Sequence, residues 1–428
     1  MGRKMTLIAN PWDVICGKSK AVTNHRGAVG EIGVKLSNHT VYQKGTIGKT
    51  LCNHKLDDGA PTPESVIQFK CDETALAKQL GLYSYPIRAL VTTNQGDVFQ
   101  IGEELKPGLA WLCEHYKRIG IDCASEFIYT YDFSVAHAYK DLGLSVFFFG
   151  LDAHDVRPDM DRLLATEKFN NKNYVIELAK YLSVRAPGTK LYLSVNEVSG
   201  NENFRFPVAV KIGTSVSGLG FKKCYNPGEL ADALNMVPDG VDFQIQDFLE
   251  GADFLSMQWW INDDRSVIPI TGTMNFIEGD ANHLGNWGGI DIPHEALVEF
   301  TYPIVMSGAK AGLRDWISVD VGCHNEQFYV VECNPRYTGA AYPYIAVMKL
   351  LENKARESFW AHKSYKTSLR SIGNFDLGAL EYDPTRKSGW VAINPGPLTV
   401  GDGGISMLYI GLKENYKKSE EELQALLA

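Results

Sequence analysis

Val330-Val331-Glu332-Cys333-Asn334-Pro335-Arg336 is the stretch on which the reading of this chain turns. In an extended segment every second side chain points the same way. Glu332, Asn334 and Arg336 therefore share one face, while Val331 and Cys333 project to the other and can be buried. A carboxylate, an amide oxygen and a guanidinium on one face suit a hard cation with a phosphate beside it, because Mg²⁺ takes oxygen ligands and shares them with phosphate groups. Twelve residues before Glu332, the run Ile317-Ser318-Val319-Asp320-Val321 carries a second carboxylate. A tight hairpin through His324-Asn325-Glu326 sets Asp320 near Glu332 across the ladder. Two carboxylates that close repel unless a cation lies between them. The competing reading of the hairpin alone is a polar strand face turned to solvent.

Upstream, Pro207-Val208-Ala209-Val210-Lys211-Ile212 is an apolar strand with a lysine in it. Burying an unpaired ammonium is costly, so Lys211 needs an anion. The loop Gly213–Gly220 follows, where Gly218 frees the backbone and Ser215 and Ser217 offer hydroxyls that can bend around a phosphate. Such loops are also ordinary connectors between strands. Lys172, in Asn170-Asn171-Lys172-Asn173 at a helix start, is a second phosphate candidate, although alone it reads as a solvated lysine. In Phe243-Gln244-Ile245-Gln246-Asp247-Phe248-Leu249-Glu250-Gly251-Ala252-Asp253 a strand ends in a short link. The backbone from Gln246 through Asp247 and Phe248 to Leu249 can offer N–H and C=O groups to a purine edge. Asp253 can accept from ribose hydroxyls. The plainer alternative is a strand end with acidic surface residues.

Order and spacing together make these signals specific. From Lys172 to Arg336 the chain resembles the ATP-grasp superfamily: a helix-start lysine, a strand lysine before a Gly-rich loop, a Gln-Asp-Phe-Leu hinge, a metal aspartate, then Glu-x-Asn-x-Arg. The resemblance implies that Lys172 and Lys211 touch the α- and β-phosphates of ATP and that the loop 214–220 closes over the γ-phosphate. It further implies adenine against Gln246–Leu249, Asp253 on the ribose, and Mg²⁺ (or Mn²⁺) on Asp320, Glu332 and Asn334. Arg336 would steady the transferring phosphate or the acceptor carboxylate. One departure stands out. Where some ligases of this superfamily place an arginine two residues before the metal carboxylate, this chain has Ser318, and Arg314 is the nearby substitute at a different offset. The region before the grasp, and a tail with Asn394-Pro395-Gly396-Pro397 and Gly401-Asp402-Gly403-Gly404, resemble peptide and amino-acid ligases of the pheganomycin type.

The implied activity is an ADP-forming carboxylate–amine or peptide ligase acting on small-molecule acid and amine substrates through an acyl phosphate. The alternatives are an enzyme of the same fold with a thiol, bicarbonate or phosphoryl acceptor, and an ATP-binding regulator without turnover. The implied fold is α/β, with a Rossmann-like domain before an ATP-grasp fold of two α+β subdomains. Its expected parts are 1–155 for the first α/β domain, 156–245 for the subdomain with the lysines and loop, and 246–360 for the hinge and metal site. Residues 361–428 form an extension packed on the grasp domain.

The rest of the chain agrees with that frame. Its 428 residues allow two or three domains. Ser65–Lys70, Ile87–Thr93, Phe127–Tyr131 and Leu144–Phe149 read as strands. Helices are expected from Asp72 to Gly81 and around Leu105–Ile119, so strand and helix alternate as in a parallel sheet covered on both faces. A charge of −9 offers no general attraction for nucleic acid or anionic lipid. No apolar run reaches the ~20 residues of a spanning helix, and the eight scattered cysteines form no Cys-x-x-Cys pair. A cytoplasmic protein with reduced thiols is expected, with a homo-oligomer left open.

Overall fold

The computed structural model describes residues 39–43, 84–130, 132–139, 142–199, 202–214, 220–237, 240–278, 282–401 and 403–428. The first sheet contains β1 (His39–Gln43), β2 (Val98–Ile101), β3 (Glu126–Tyr129) and β4 (Gly143–Val146). Its order is β3-β2-β1-β4 and every pair is parallel. All four residues of β2 are buried, as befits a strand covered on both faces. The helix Lys106–Ile119 links β2 to β3. It buries Leu109, Leu112, Tyr116 and Ile119 along one stripe and ends at Gly120, whose positive φ suits a helix stop.

Ile87–Thr93 is not the expected strand. Pro86–Thr92 forms a 3₁₀ helix with proline in its first turn. The hydroxyls of Thr92 and Thr93 donate to the carbonyls of Ala89 and Leu90, a local bonding pattern that competes with extended backbone. The run has no two-residue alternation, so burial on all sides is compatible with either form. The strand expected at Ser65–Lys70 and the helix from Asp72 lie outside the described residues.

A second sheet holds β5 (Thr189–Tyr192), β6 (Val208–Ile212), β7 (Phe221–Cys224) and β8 (Phe243–Asp247) in the antiparallel order β5-β8-β6-β7. Val208, Val210, Ile212, Phe243 and Ile245 share a core with Leu230 and Ala233 of the helix Pro227–Leu234. Asn226 caps that helix by accepting the Glu229 N–H, and Glu229 accepts the Tyr225 N–H in return. Alternation turns Ala209, Lys211, Gln244 and Gln246 to the opposite face.

The third sheet has eight antiparallel strands: β9 (Asp253–Ile261), β10 (Val267–Glu278), β11 (Asn282–Gly288), β12 (Asp315–His324), β13 (Gln327–Asn334), β14 (Trp360–Lys366), β15 (Gly389–Asn394) and β16 (Gly404–Ile410). Their order is β13-β12-β9-β10-β11-β14-β16-β15. One face puts Leu255, Met257, Trp259, Ile317, Val319 and Val321 against residues of the helices Met160–Asn170, Lys172–Tyr181 and His294–Ala311. The other face carries Ser256, Gln258, Ser318 and Asp320 beside Trp260 and Trp316, which pack toward the helix Ala341–Leu351.

The Gly/Asn-rich stretch 279–289 supplies β11, a strand that periodicity does not reveal. Its Gly285 lets two backbones meet, since a Cβ there would sit 1.9 Å from the His362 carbonyl oxygen. The 360/361 junction falls at the start of β14, and the segment beyond it completes the sheet with β15 and β16. The helix Lys106–Ile119 also docks on that segment. Trp111 donates to the Phe375 carbonyl, and Arg118 pairs with Glu381. No helix among the described residues is long and apolar enough to cross a membrane.

Candidate nucleotide and metal site

The hairpin of β12 and β13 places Asp320 directly opposite Glu332, and Ser318 opposite Asn334. The Asn334 amide donates to Asp320 at 3.0 Å and to Glu332 at 3.4 Å. Lys172 Nζ lies 3.3 Å from Glu332 Oε2. Burial and the facing Glu332 charge push the Asp320 carboxyl up to about 8, against a hydrogen bond with Ser256. Burial would raise Glu332 as well. Lys172, Arg336 and the hydrogen bond with Asp320 outweigh it and hold that carboxyl at about 2. The pair thus stands as one carboxylate and one acid sharing a proton, which a divalent cation could replace.

Lys211 reaches this cluster from the second sheet. Burial pulls its ammonium down to about 8, with Glu332 opposing and Lys172 adding to the shift. Its Nζ donates to Gln246 Oε1 at 2.6 Å, and Gln246 Nε2 donates to Thr189 at 3.0 Å. Gln244, two residues earlier on the same face, is fully buried, and neither its nitrogen nor its oxygen has a partner. Such an amide keeps both a donor and an acceptor to offer.

The helix-start lysine is held by local chemistry. Asn171 caps its helix by accepting from Asn173 and Tyr174, and its own amide donates to Asp242. The Lys172 N–H donates to the Gly213 carbonyl, while the Gly213 N–H donates to the Asp242 carbonyl. The start of the Gly-rich loop is therefore clipped to the start of the helix. A Cβ at Gly213 would lie 2.1 Å from an Asp242 carboxylate oxygen. Ser215, Ser217 and Gly218 lie outside the described residues.

The hinge differs from expectation in its backbone. The Asp247 N–H donates to the Gly188 carbonyl and the Phe248 N–H to the Pro207 carbonyl. β8 is an interior strand, flanked by β5 and β6, so its ladder runs on past its end and occupies those donors. The Phe248 ring packs beside Phe221 and 4.1 Å from Lys223 Nζ. Leu249 reaches across to Gly322, where a Cβ would meet its Cδ1 at 2.8 Å. Asp253 opens β9, is exposed, and pairs with Cys323, three residues past Asp320.

Arg336 lies just beyond β13, where Phe148 bridges to its backbone. Its guanidinium donates to Asn170 at the end of the helix Met160–Asn170. Burial lowers its pKa, against the pull of Glu332 and Asp320. Arg314 is not brought to the cluster. It precedes β12 by one residue, so six extended residues, about 20 Å, separate it from Asp320, and its guanidinium donates to the Leu313 carbonyl.

Three residues of the cluster escape the motif reading. Gln244 had a signal, since it alternates with Gln246. Asn170 was the first of a cap-forming Asn run. Ser256 had none, because its approach to Asp320 depends on which strand β12 chose as its neighbour. Among the described residues no three His, Cys, Asp or Glu side chains form a metal cage. Two carboxylates and an amide nevertheless fit Mg²⁺, which fills its remaining positions with water and substrate phosphates.

The sequence matches no protein-family model and no curated protein. Solved structures do share its fold. N5-carboxyaminoimidazole synthetase from Staphylococcus aureus, complexed with ADP, is 11% identical with a TM-score of 0.55, over 91% of this chain and 96% of that one. Biotin carboxylase from Campylobacter jejuni is 11% identical with a TM-score of 0.53, over 79% and 88%. L-amino acid ligase from Bacillus licheniformis is 11% identical with a TM-score of 0.50, over 90% and 97%. The chain has the ATP-grasp fold, and at these identities the likeness is one of fold.

Proposed function

We propose that this ATP-grasp chain is a carboxylate–amine ligase that forms an amide or peptide bond and releases ADP and phosphate. The observation that carries the reading is the meeting of Asp320, Glu332, Lys172, Lys211 and Arg336, drawn from two sheets and a helix start, around one half-buried carboxylate pair. In this reading Lys172 and Lys211 hold the α- and β-phosphates. The open amide of Gln244 and the link through Leu249 face the purine, and Asp253 takes the ribose. Asp320, Glu332 and Asn334 would hold Mg²⁺, or Mn²⁺, which has the same preference for oxygen. The bound cation supplies neutralisation of phosphate charge.

A carboxylate is a poor electrophile, and its approach to the γ-phosphate brings anions together. Arg336 orients that carboxylate and offsets its charge from a desolvated position. Phosphoryl transfer then gives an acyl phosphate and ADP. An amine attacks the acyl carbon, expels phosphate, and loses its extra proton to yield the amide.

The test is ADP release over a matrix of amino acids, short peptides and other acids and amines, with product masses read directly. Release that requires one acid and one amine together supports the ligase. A second reading keeps the site and changes the acceptor, and the comparable fold likeness to a carboxylase and to an amino-acid ligase supports testing it. Release with bicarbonate or a thiol in place of the amine would select that reading.

A further inference from the structure

Near Arg336 lies a group of polar side chains that the ligase mechanism does not use. Arg88 stands on the 3₁₀ helix Pro86–Thr92. Its guanidinium lies 4.5 Å from the Tyr342 ring centre, 4.9 Å from Tyr85 and 5.7 Å from Phe147. Its Nε is buried without a hydrogen-bond partner, and no carboxylate pairs with it among the described residues. Ring faces offset the charge of a guanidinium but accept little from its N–H donors. The Phe147 ring also lies 6.0 Å from Arg336, so the two guanidiniums flank one ring and are at most about 12 Å apart.

The opposite wall comes from the eight-stranded sheet. Asn286 on β11 is directly paired with His362 on β14. His362 is 9% exposed, and neither of its ring nitrogens has a partner. Asn286 is 2% exposed and donates to Asn275, yet its carbonyl oxygen has no donor. His283, three residues before Asn286, is exposed. A Cβ added to Gly339 would lie 3.7 Å from the His283 ring and 3.8 Å from Asn286. The short loop from Arg336 to Gly339 thus runs from the carboxylate cluster to this wall. The charge of Arg88 reaches both Arg336 and His362.

Arg88, Asn286 and His362, from three separate parts of the chain, therefore each leave a buried donor or acceptor open. Buried polar atoms of that kind are rare and costly unless a ligand completes them. A guanidinium with an open fork matches a carboxylate in two parallel hydrogen bonds. His362, pushed down to about 3 by burial and by the charges of His283 and Arg88, is neutral and can both donate and accept. Asn286 and the imidazoles suit the polar body of a small ligand.

We propose that Arg88, with His283, Asn286 and His362 around it, is an anion-recognising subsite that holds a substrate carboxylate other than the one activated beside Arg336. The inference rests on the ligase reading and narrows the class of one of its two substrates. That second carboxylate can come from the acid substrate, which is then a dicarboxylic acid. It can equally come from the amine substrate, which is then an amino acid.

Equilibrium binding to the full chain in the presence of Mg-ADP separates these sources, using two probe pairs that differ by one carboxylate: glutarate with butyrate, and L-alanine with ethylamine. At least one carboxylate-bearing member is expected to bind at least about 30-fold more tightly than its partner, the scale of a desolvated charge contact. Arg88→Met should abolish that difference while Mg-ADP binding stays as in wild type. A preference within the glutarate pair identifies the acid, and one within the alanine pair the amine. Arg88→Lys, which keeps the charge and the aromatic bracket but loses the fork, should weaken the favoured probe about 10-fold and serves if the methionine variant does not fold. The proposal is overturned if neither pair shows a preference, or if either folded variant binds the favoured probe as wild type does. Failure of wild type to bind Mg-ADP would instead remove the nucleotide reading, and the probe pairs measured without nucleotide would still decide the subsite.

Discussion

Replacing Glu332 by glutamine removes a charge from the centre of the site with almost no change in shape. The glutamate faces Lys172 at 3.3 Å and Asp320 across the ladder, and the charges of Lys211 and Arg336 act on it. At an effective dielectric constant of about 20, one pair at that distance attracts by about 5 kcal/mol. The net loss in folding stability is smaller, about 1–3 kcal/mol, because Asp320 remains among the cations and can ionise once the Glu332 charge no longer faces it. The fold should therefore survive. The reaction should not, because Glu332 is the carboxylate that stays charged in this pair, and the donor set that would hold a divalent cation loses it. We expect turnover to fall at least about 1000-fold, equivalent to about 4 kcal/mol of transition-state stabilisation. The assay is steady-state ADP release at saturating Mg-ATP with an active acid and amine, alongside a thermal melt. Wild-type turnover in a folded Glu332→Gln protein would refute the metal assignment. Global unfolding would show that the glutamate is needed first as a counter-ion for the lysines.

Three further outcomes are expected. Lys211→Met, which loses the donation to Gln246 and the phosphate contact proposed here, should raise the KM for ATP at least 30-fold, from about 2–5 kcal/mol for a buried charged contact, with a near-native melting temperature; equal ATP affinity would make Lys211 structural. Arg336→Lys keeps the charge but loses the fork, so kcat should drop more than 10-fold with ATP affinity changed less than threefold, and the reverse pattern would move Arg336 to nucleotide binding. The interface between Lys106–Ile119 and the C-terminal segment should loosen in acid. There His115 Nε2 accepts the Ala392 N–H and Nδ1 bonds to Glu381; burial lowers the imidazole pKa, outweighing Glu381, which acts to raise it. Burial acts to raise Glu381, but His115 and Arg118 outweigh it and hold its carboxyl at about 2. Both groups bind protons more weakly when folded. The His115 contribution is therefore lost as pH falls from about 6.5, and that of Glu381 between about 4.5 and 2. Melts of Glu381→Gln should show about 2 kcal/mol less stability at pH 7 and a flatter acid limb, and an unchanged acid limb would sink this linkage.

Some of the site was legible because it is built from local geometry. Two-residue alternation is a property of extended backbone itself, so Glu332 and Asn334 had to share a face once β13 formed. The tight turn after His324 then had to bring Asp320 opposite Glu332. The same logic put Lys211 and Gln246 on one face of the second sheet. It failed for Pro86–Thr92, where a run buried on every side shows no period. It failed also for β11, whose glycines and asparagines suit a loop but are required there by a close backbone approach.

The sequence by itself determined the carboxylate hairpin, the lysine strand, the capped helices and the order of these parts, since each depends on residues within about a dozen positions of one another. Only the tertiary structure decided what those parts face. It placed Lys172 on Glu332, took the hinge N–H groups into the ladder of β8, and moved Arg314 to the far end of β12. It also brought Asn170 to Arg336, and Arg88 to the same ring as Arg336 from more than two hundred residues away. Such contacts follow from which strands became neighbours and how the helices closed over them. That choice is made by the burial of whole faces rather than by any short motif, so no local pattern in the chain announces it.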